Sequence, residues 1–249
     1  MAHHLVGDTE VTIVTDATAL AEALADRIVE RAASSIAERG SCAIALAGGS
    51  TPRAAYRLLA QPPRTTHIAW DRVRIFFGDE RCVPPTHEDS NFRMASEALL
   101  DHVAIPRDAI HRLEGELPPS EAALRYEKTL VESLGAEPIF DLVLLGLGPD
   151  AHTASWFPDV VLDEQRLVDA PFVPIFQRHR LTLTPRAINA AREILVATAG
   201  VEKAPALAAV FGKERNLAHI PAQRLRPIDG TLTWLIDKAA AASIDGKAD

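Results

Sequence analysis

The stretch Ala43-Ile-Ala-Leu-Ala-Gly-Gly-Ser-Thr-Pro52, continuing into Arg53-Ala-Ala-Tyr-Arg-Leu-Leu-Ala60, decides the fold. An apolar run ends in two glycines, then two hydroxyl residues, a proline and a helix-forming segment. That order reads as a buried strand, a tight turn and a helix start. Ser50 or Thr51 is the expected N-cap, with Pro52 at the first helical position. Gly48 and Gly49 allow a sharp turn and a close approach of ligand to backbone. Free amides at a helix start, together with the positive end of its dipole, suit an anion such as phosphate. An ordinary βα turn has the same pattern, so the segment alone leaves both readings open.

Working outward, the same grammar repeats. Val11–Val14 reads as a strand and Ala17 to Glu38 as an Ala-rich helix ended by Gly40. Arg72–Phe77 is a strand delivering Gly78-Asp-Glu-Arg81, and helices are expected at about Asn91–His102 and Ser120–Leu134. Asp141–Leu147 is apolar almost throughout, the mark of a strand buried on both faces. Arg180–Thr184 alternates as a half-exposed strand. Glu193–Ala199 is another buried strand, a helix begins near Glu202, and a last helix is expected over Leu232–Ala242. Strands alternating with helices imply an α/β, Rossmann-like three-layer fold with a mostly parallel sheet covered on both faces. No repeat or linker interrupts the chain, so residues 1–249 are read as a single domain, with 1–8 and 245–249 as loose termini. In such sheets ligands bind beyond the carboxyl ends of the strands. Gly48–Thr51, Gly78–Arg81, Gly148–His152 and Gly200–Lys203 all follow apolar strands, and four such ends together favour an active site.

Composition narrows the function. With 249 residues, 47% hydrophobic and 24% charged, the chain is an ordinary globular one. A net charge of −8 without a basic stripe argues against nucleic acid as partner. No apolar run approaches the ~20 residues of a membrane span, and the first residues lack a signal-peptide pattern. Together these point to a cytoplasmic protein that contacts neither nucleic acid nor membrane, a monomer or small homo-oligomer. Cys42 and Cys82 make neither a disulfide framework nor a metal spacing, and no Cys/His/carboxylate group has a spacing that suggests a metal site, so no metal is expected; no cofactor is expected either. Gly146, Gly148 and Ala151 fit a dinucleotide fingerprint. Pro149 removes an amide from that turn, however, and no second strand ends in an acid ~20 residues later.

His152 can take a proton from water near neutral pH, with Asp150 to orient or charge-balance it. A polar loop also accommodates a histidine with no such duty. Gly78-Asp-Glu-Arg81 offers Asp79, Glu80 and the anion-gripping fork of Arg81, either for a ligand or for an internal ion-pair network. Cys82 beside Arg81 can have a lowered pKa but has no obvious base. Arg180 opens a strand. Lys203, in the first turn of a helix, is unfavourable toward the dipole unless it reaches an anion.

Taken together, these motifs resemble the 6-phosphogluconolactonase family, within the wider group that includes glucosamine-6-phosphate deaminases. The resemblance runs from about Thr12 to Ala242. It rests on Ala47–Pro52, Gly78–Arg81 with Asp89-Ser-Asn91, Gly146–Pro158, Arg180–Thr184, Gly200–Lys203, and Pro221-Ala-Gln223 with Trp234 and Asp237. It implies a Rossmann-like fold and a phosphosugar lactone substrate without metal. The implied reaction is hydrolysis of 6-phospho-D-glucono-1,5-lactone to 6-phosphogluconate, the second step of the oxidative pentose phosphate pathway. Phosphate binding is implied for Gly48, Gly49, Ser50, Thr51, Arg81, Arg180 and Lys203. Catalysis falls to His152 as base with Asp150, and further substrate contacts to Asp79, Glu80 and Asn91. The family's usual Asp-Gly-His is here Asp150-Ala151-His152, so Ala151 carries strain if that position needs a positive φ. The deaminase branch keeps an acid five residues after its loop histidine, where this chain has Phe157, and tends to Gly-Asp-Glu-Tyr. A phosphosugar sensor of this type usually carries a DNA-binding segment, which this chain lacks.

Overall fold

The computed structural model describes residues 2–6 and 9–244. In chain order the main elements are β1 (Ala2–Val6), β2 (Thr9–Val14), α1 (Ala17–Arg39), β3 (Cys42–Leu46) and α2 (Ser50–Leu59). Next come β4 (Val73–Phe77), β5 (Asp79–Arg81), α3 (Asn91–Ala95), α4 (Pro119–Leu134) and β6 (Leu142–Leu145). Then follow β7 (Val168–Asp169), β8 (Phe172–Val173), β9 (Arg178–Leu183), α5 (Pro185–Asn189) and β10 (Glu193–Thr198). The last are α6 (Ala204–Val210), β11 (Thr231–Asp237) and α7 (Lys238–Ala241).

The principal sheet has seven strands in the order β1-β2-β11-β10-β6-β3-β4. All neighbours run parallel except β1, which pairs antiparallel at the edge. Every residue of β3, β6 and β10 is buried, as strands covered on both faces require. The fold is thus the α/β arrangement expected. A smaller antiparallel sheet, in the order β5-β9-β7 with β8 also on β9, stands beyond the carboxyl end of β4. Gly78 joins the two sheets: its amide donates to Leu46 O at 2.9 Å and its carbonyl accepts from Leu183 N at 2.8 Å.

Three expectations fail. The segment expected as the last helix is the strand β11, and only Lys238–Ala241 is helical. Thr231-Leu-Thr-Trp-Leu-Ile is rich in β-branched and aromatic residues, and it fills the gap between β10 and β2. The start of the chain, expected to be loose, is β1 over residues 2–6; residues 245–249 lie outside the described ones. Finally, the helix expected over Asn91–His102 is α-helical only to Ala95 and continues as a π-helical turn through Leu100.

Two buried tyrosines, the only two in the chain, each fasten the end of a strand. Tyr56 Oη accepts from Ala47 N at 3.0 Å and donates to Ala47 O at 3.0 Å. Tyr126 Oη accepts from Phe77 N at 2.8 Å and donates to Phe77 O at 3.1 Å. Both clamps fall on the residue just before a glycine that opens a site loop. Among the described residues no helix is long and apolar enough to cross a membrane.

Candidate active site

The four polar strand ends converge. A cavity of about 310 Å3 is lined by Gly48–Thr51 after β3, by Asp79 and Arg81 after β4, by Gly146–Pro149 and His152 after β6, and by Thr198 at the end of β10 with Glu202 and Lys203 beyond it. β3 leads to β4 on one side while β6 leads to β10 on the other. The cavity therefore lies where the winding of the sheet reverses, the usual ligand position in such folds.

At the β3 end, the residue capping α2 is Gly49 rather than Ser50 or Thr51, and Pro52 is the third helical residue rather than the first. Gly49 has φ +108°, a conformation open to glycine, so the helix starts one or two residues earlier than the hydroxyls suggest. No side chain caps this end, leaving first-turn amides without intrahelical acceptors. Gly48 is required for another reason. A Cβ there would stand 2.0 Å from Asn91 Oδ1.

Asn91 is buried. Its Nδ2 donates to Asp79 O at 2.9 Å and to Asp79 Oδ1 at 3.2 Å, while Ser155 Oγ donates to Asp79 Oδ2 at 2.8 Å. Asp79 is thus held at the cavity wall from two sides. Glu80, expected as a substrate contact, sits elsewhere. It is buried, and its carboxylate accepts from the amides of Arg81, Asn91 and Phe92, each at 2.8 Å, and from Ser90 Oγ at 3.0 Å. Burial raises its pKa, against the pull of those amides. Its acceptors are spent on fastening the start of α3 to β5, and it does not line the cavity.

Arg81 and Arg180 are direct partners across the β5–β9 pair. Like charges in that register repel. Burial first, then the charge of Arg81, hold the Arg180 guanidinium below its usual pKa. Arg81 donates to the Asp89 carbonyl and Arg180 lies over the Phe176 ring; neither side chain forms an ion pair with a described residue. Arg180, expected to contact phosphate, does not line the cavity. The Cys82 thiol, beside this pair, is pushed up by burial rather than lowered.

The loop after β6 brings an imidazole and a carboxylate together. His152 Nδ1 lies 2.5 Å from Asp150 Oδ1. Residues two apart would diverge on a helix, but here the chain turns, with Ala151 N donating to Gly148 O at 3.0 Å and Gly148 N to His152 O at 2.8 Å. Burial raises the pKa of Asp150, but the hydrogen bonds and charge of His152 outweigh it and hold the carboxyl below its usual range. An ionised Asp150 can only accept, so Nδ1 carries a proton, and in the neutral ring Nε2 is then the acceptor. Gly148 makes room for the pair. A Cβ there would stand 2.0 Å from His152 Nδ1 and 2.6 Å from Asp150 Oδ1.

Ala151, between the two, has φ +63° and carries the strain expected of it. A left-handed Ala costs roughly 1–2 kcal/mol. Replacing it by Gly would lose a buried methyl worth about 0.8 kcal/mol and about 0.5–1 kcal/mol of chain entropy. The terms nearly cancel, so Ala151→Gly is expected to melt within about 4 °C of the parent chain, as calorimetry will show.

Thr198 and Glu202, both on the cavity wall, were not singled out in sequence. Their only signal is position: Thr198 ends a buried strand, and Glu202 lies beside Lys203 in the Gly200 loop. Among the described residues no group of three or more His, Cys, Asp and Glu could hold a metal ion.

Comparison with known proteins agrees with this architecture. The profile of the family described as glucosamine-6-phosphate isomerases/6-phosphogluconolactonase matches residues 15–234. A 6-phosphogluconolactonase of Nostoc sp. is 38% identical over 242 residues, 94% of this chain and 98% of that protein. One of Mycobacterium tuberculosis is 35% identical over 252 residues, 95% of this chain and 98% of its own. The solved 6-phosphogluconolactonase of Trypanosoma cruzi superposes with a TM-score of 0.85 at 30% identity, covering 98% of this chain and 99% of that one. The chain belongs to the glucosamine-6-phosphate isomerase/6-phosphogluconolactonase family.

Proposed function

We propose that the protein hydrolyses 6-phospho-D-glucono-1,5-lactone to 6-phosphogluconate, the second step of the oxidative pentose phosphate pathway, in the cytoplasm. One observation carries the assignment of roles: a carboxylate-held imidazole and a cationic wall with free helix-start amides face a single cavity. The phosphate sits against the Gly48–Thr51 turn with Arg81 and Lys203, in the field of Arg180, and its binding energy fixes the ring. Asp79 and Asn91 meet the sugar hydroxyls. His152 Nε2 takes a proton from water as the oxygen attacks C1. The tetrahedral intermediate then collapses with cleavage of the bond from C1 to the ring oxygen, which receives that proton from the imidazolium. Asp150 keeps the imidazole in the required tautomer and balances the charge formed on it. The lactone carbonyl is already activated, so positioning and one proton shuttle suffice.

The direct test is acid release from freshly generated lactone, run beside ammonia release from glucosamine 6-phosphate. Lactone hydrolysis without ammonia is expected; ammonia alone would transfer the protein to the deaminase reading. For the phosphate wall, Arg81→Ala and Lys203→Ala are each expected to weaken 6-phosphogluconate binding. A charge-assisted hydrogen bond is worth about 1.5–3 kcal/mol, hence roughly 10- to 150-fold per cation. Titration calorimetry checks this, and equal affinity of the parent chain for gluconate and 6-phosphogluconate would remove the anchor.

A further inference from the structure

A single hydrogen bond to Asp150 fixes one edge of the His152 imidazole but leaves the ring free to tilt about it. Its face is held by another group. The ring of Phe157 packs against it with centroids 4.3 Å apart and planes inclined by 35°. Behind Phe157 stands Phe176, edge to face at 5.3 Å. The Arg180 guanidinium carbon lies 5.0 Å from the centroid of Phe176. The four side chains form one continuous stack, His152–Phe157–Phe176–Arg180.

The members differ in setting. Phe157 is 6% exposed, whereas Phe176 is 43% exposed, so solvent covers much of the second ring. The 174–176 turn that carries Phe176 is nevertheless fastened. Gln177 N donates to Pro174 O at 3.1 Å, and Gln177 Nε2 to the same oxygen at 2.6 Å. Neither phenylalanine lines the cavity, so neither is placed to touch substrate. Phe176 also offers the electron-rich face that a guanidinium seeks, at the point where Arg180 is repelled by Arg81.

We propose that Phe157 and Phe176 are positioning residues for His152. Phe157 holds the imidazole face, while Phe176 braces Phe157 and seats Arg180, so one aromatic stack ties the base to the cationic wall. The kinetic side of this proposal rests on His152 being the base; the placement of the ring does not.

The test uses the full chain with Phe157→Leu and Phe176→Leu, which keep apolar bulk but remove the flat face. Nitrogen-15 NMR of the His152 ring, assigned by loss of its signals in His152→Gln, reports the tautomer. Kinetics report kcat and KM separately. In the parent chain the Nδ1–H form is expected to dominate. In Phe157→Leu the ring signals should move toward the averaged positions of free imidazole, with kcat down about tenfold from misplacement and KM within about twofold. Phe176→Leu should shift both in the same direction by less. A purely packing role for Phe157 would lower stability and leave the tautomer and kcat alone, and that result overturns the proposal. Should Phe157→Leu fail to fold, the half-exposed Phe176→Leu decides: unchanged ring signals and kcat would likewise overturn it. Absence of lactone hydrolysis in the parent chain would overturn the functional reading, while the ring signals would still decide the positioning.

Discussion

His152→Ala is expected to lose about 10²- to 10⁴-fold in kcat, the range a general base contributes, while still binding 6-phosphogluconate. The two outcomes separate because the imidazole lies after β6, whereas the cationic wall is built by the ends of β3, β5 and β10. The companion Asp150→Asn probes orientation. An amide can donate to Nδ1 and so stabilise the tautomer in which Nε2 is protonated and useless as a base. Its kcat should fall as well, with product affinity retained. Stopped-flow release of acid measures both variants, and titration calorimetry measures binding. Near-parental kcat in His152→Ala would pass the role of base to Asp79 or Glu202, the two carboxylates at the cavity wall.

Gly148→Ala is the second large effect, and it needs no change in any charged group. The added methyl carbon would lie 2.0 Å from His152 Nδ1 and 2.2 Å from His152 Cε1, well inside van der Waals contact. Imidazole and carboxylate must both give way, and a misplacement of about 1 Å can cost 10²-fold. Lost activity of roughly this size is expected with melting temperature and product affinity close to the parent, because the displaced groups are side chains at the cavity edge rather than core. Full activity in Gly148→Ala would mean that the working position of His152 differs from the one seen here.

Much of this site was legible in the chain because each loop advertises itself locally. An apolar strand, then glycine, then polar residues is a contiguous pattern, and it placed Gly48–Thr51, Gly78–Arg81, the His152 loop and Lys203 around one crevice. What escaped reading depends on partners distant in sequence. Glu80 looks like a second site carboxylate until the amides of Asn91 and Phe92 close around it. Phe157 and Phe176 are nineteen residues apart with prolines between, and nothing local says that their rings meet. The last strand was hidden by composition. The alanines at 239–242 extend a helical signal backwards over Thr231–Asp237, and only pairing with both β10 and β2 overrides it. The choice of Gly49 as cap was lost to the stronger statistical pull of Ser50 and Thr51.

The two tyrosine clamps give the protein a built-in optical gauge. Both phenols are buried, and burial raises their pKa well above the ordinary value, against the opposing pull of their backbone hydrogen bonds. A group whose pKa is raised by folding stabilises the native chain fully below its unfolded pKa of about 10 and less as pH rises toward the folded value. In an alkaline titration the phenolate absorbance should therefore stay flat through pH 10. It should then climb for both rings in one cooperative step as the strand ends let go. Since each ring grips the residue just before Gly48 or Gly78, that step reports the release of the loops that build the cavity. A gradual rise centred near pH 10 in the folded chain would show instead that the clamps open on their own.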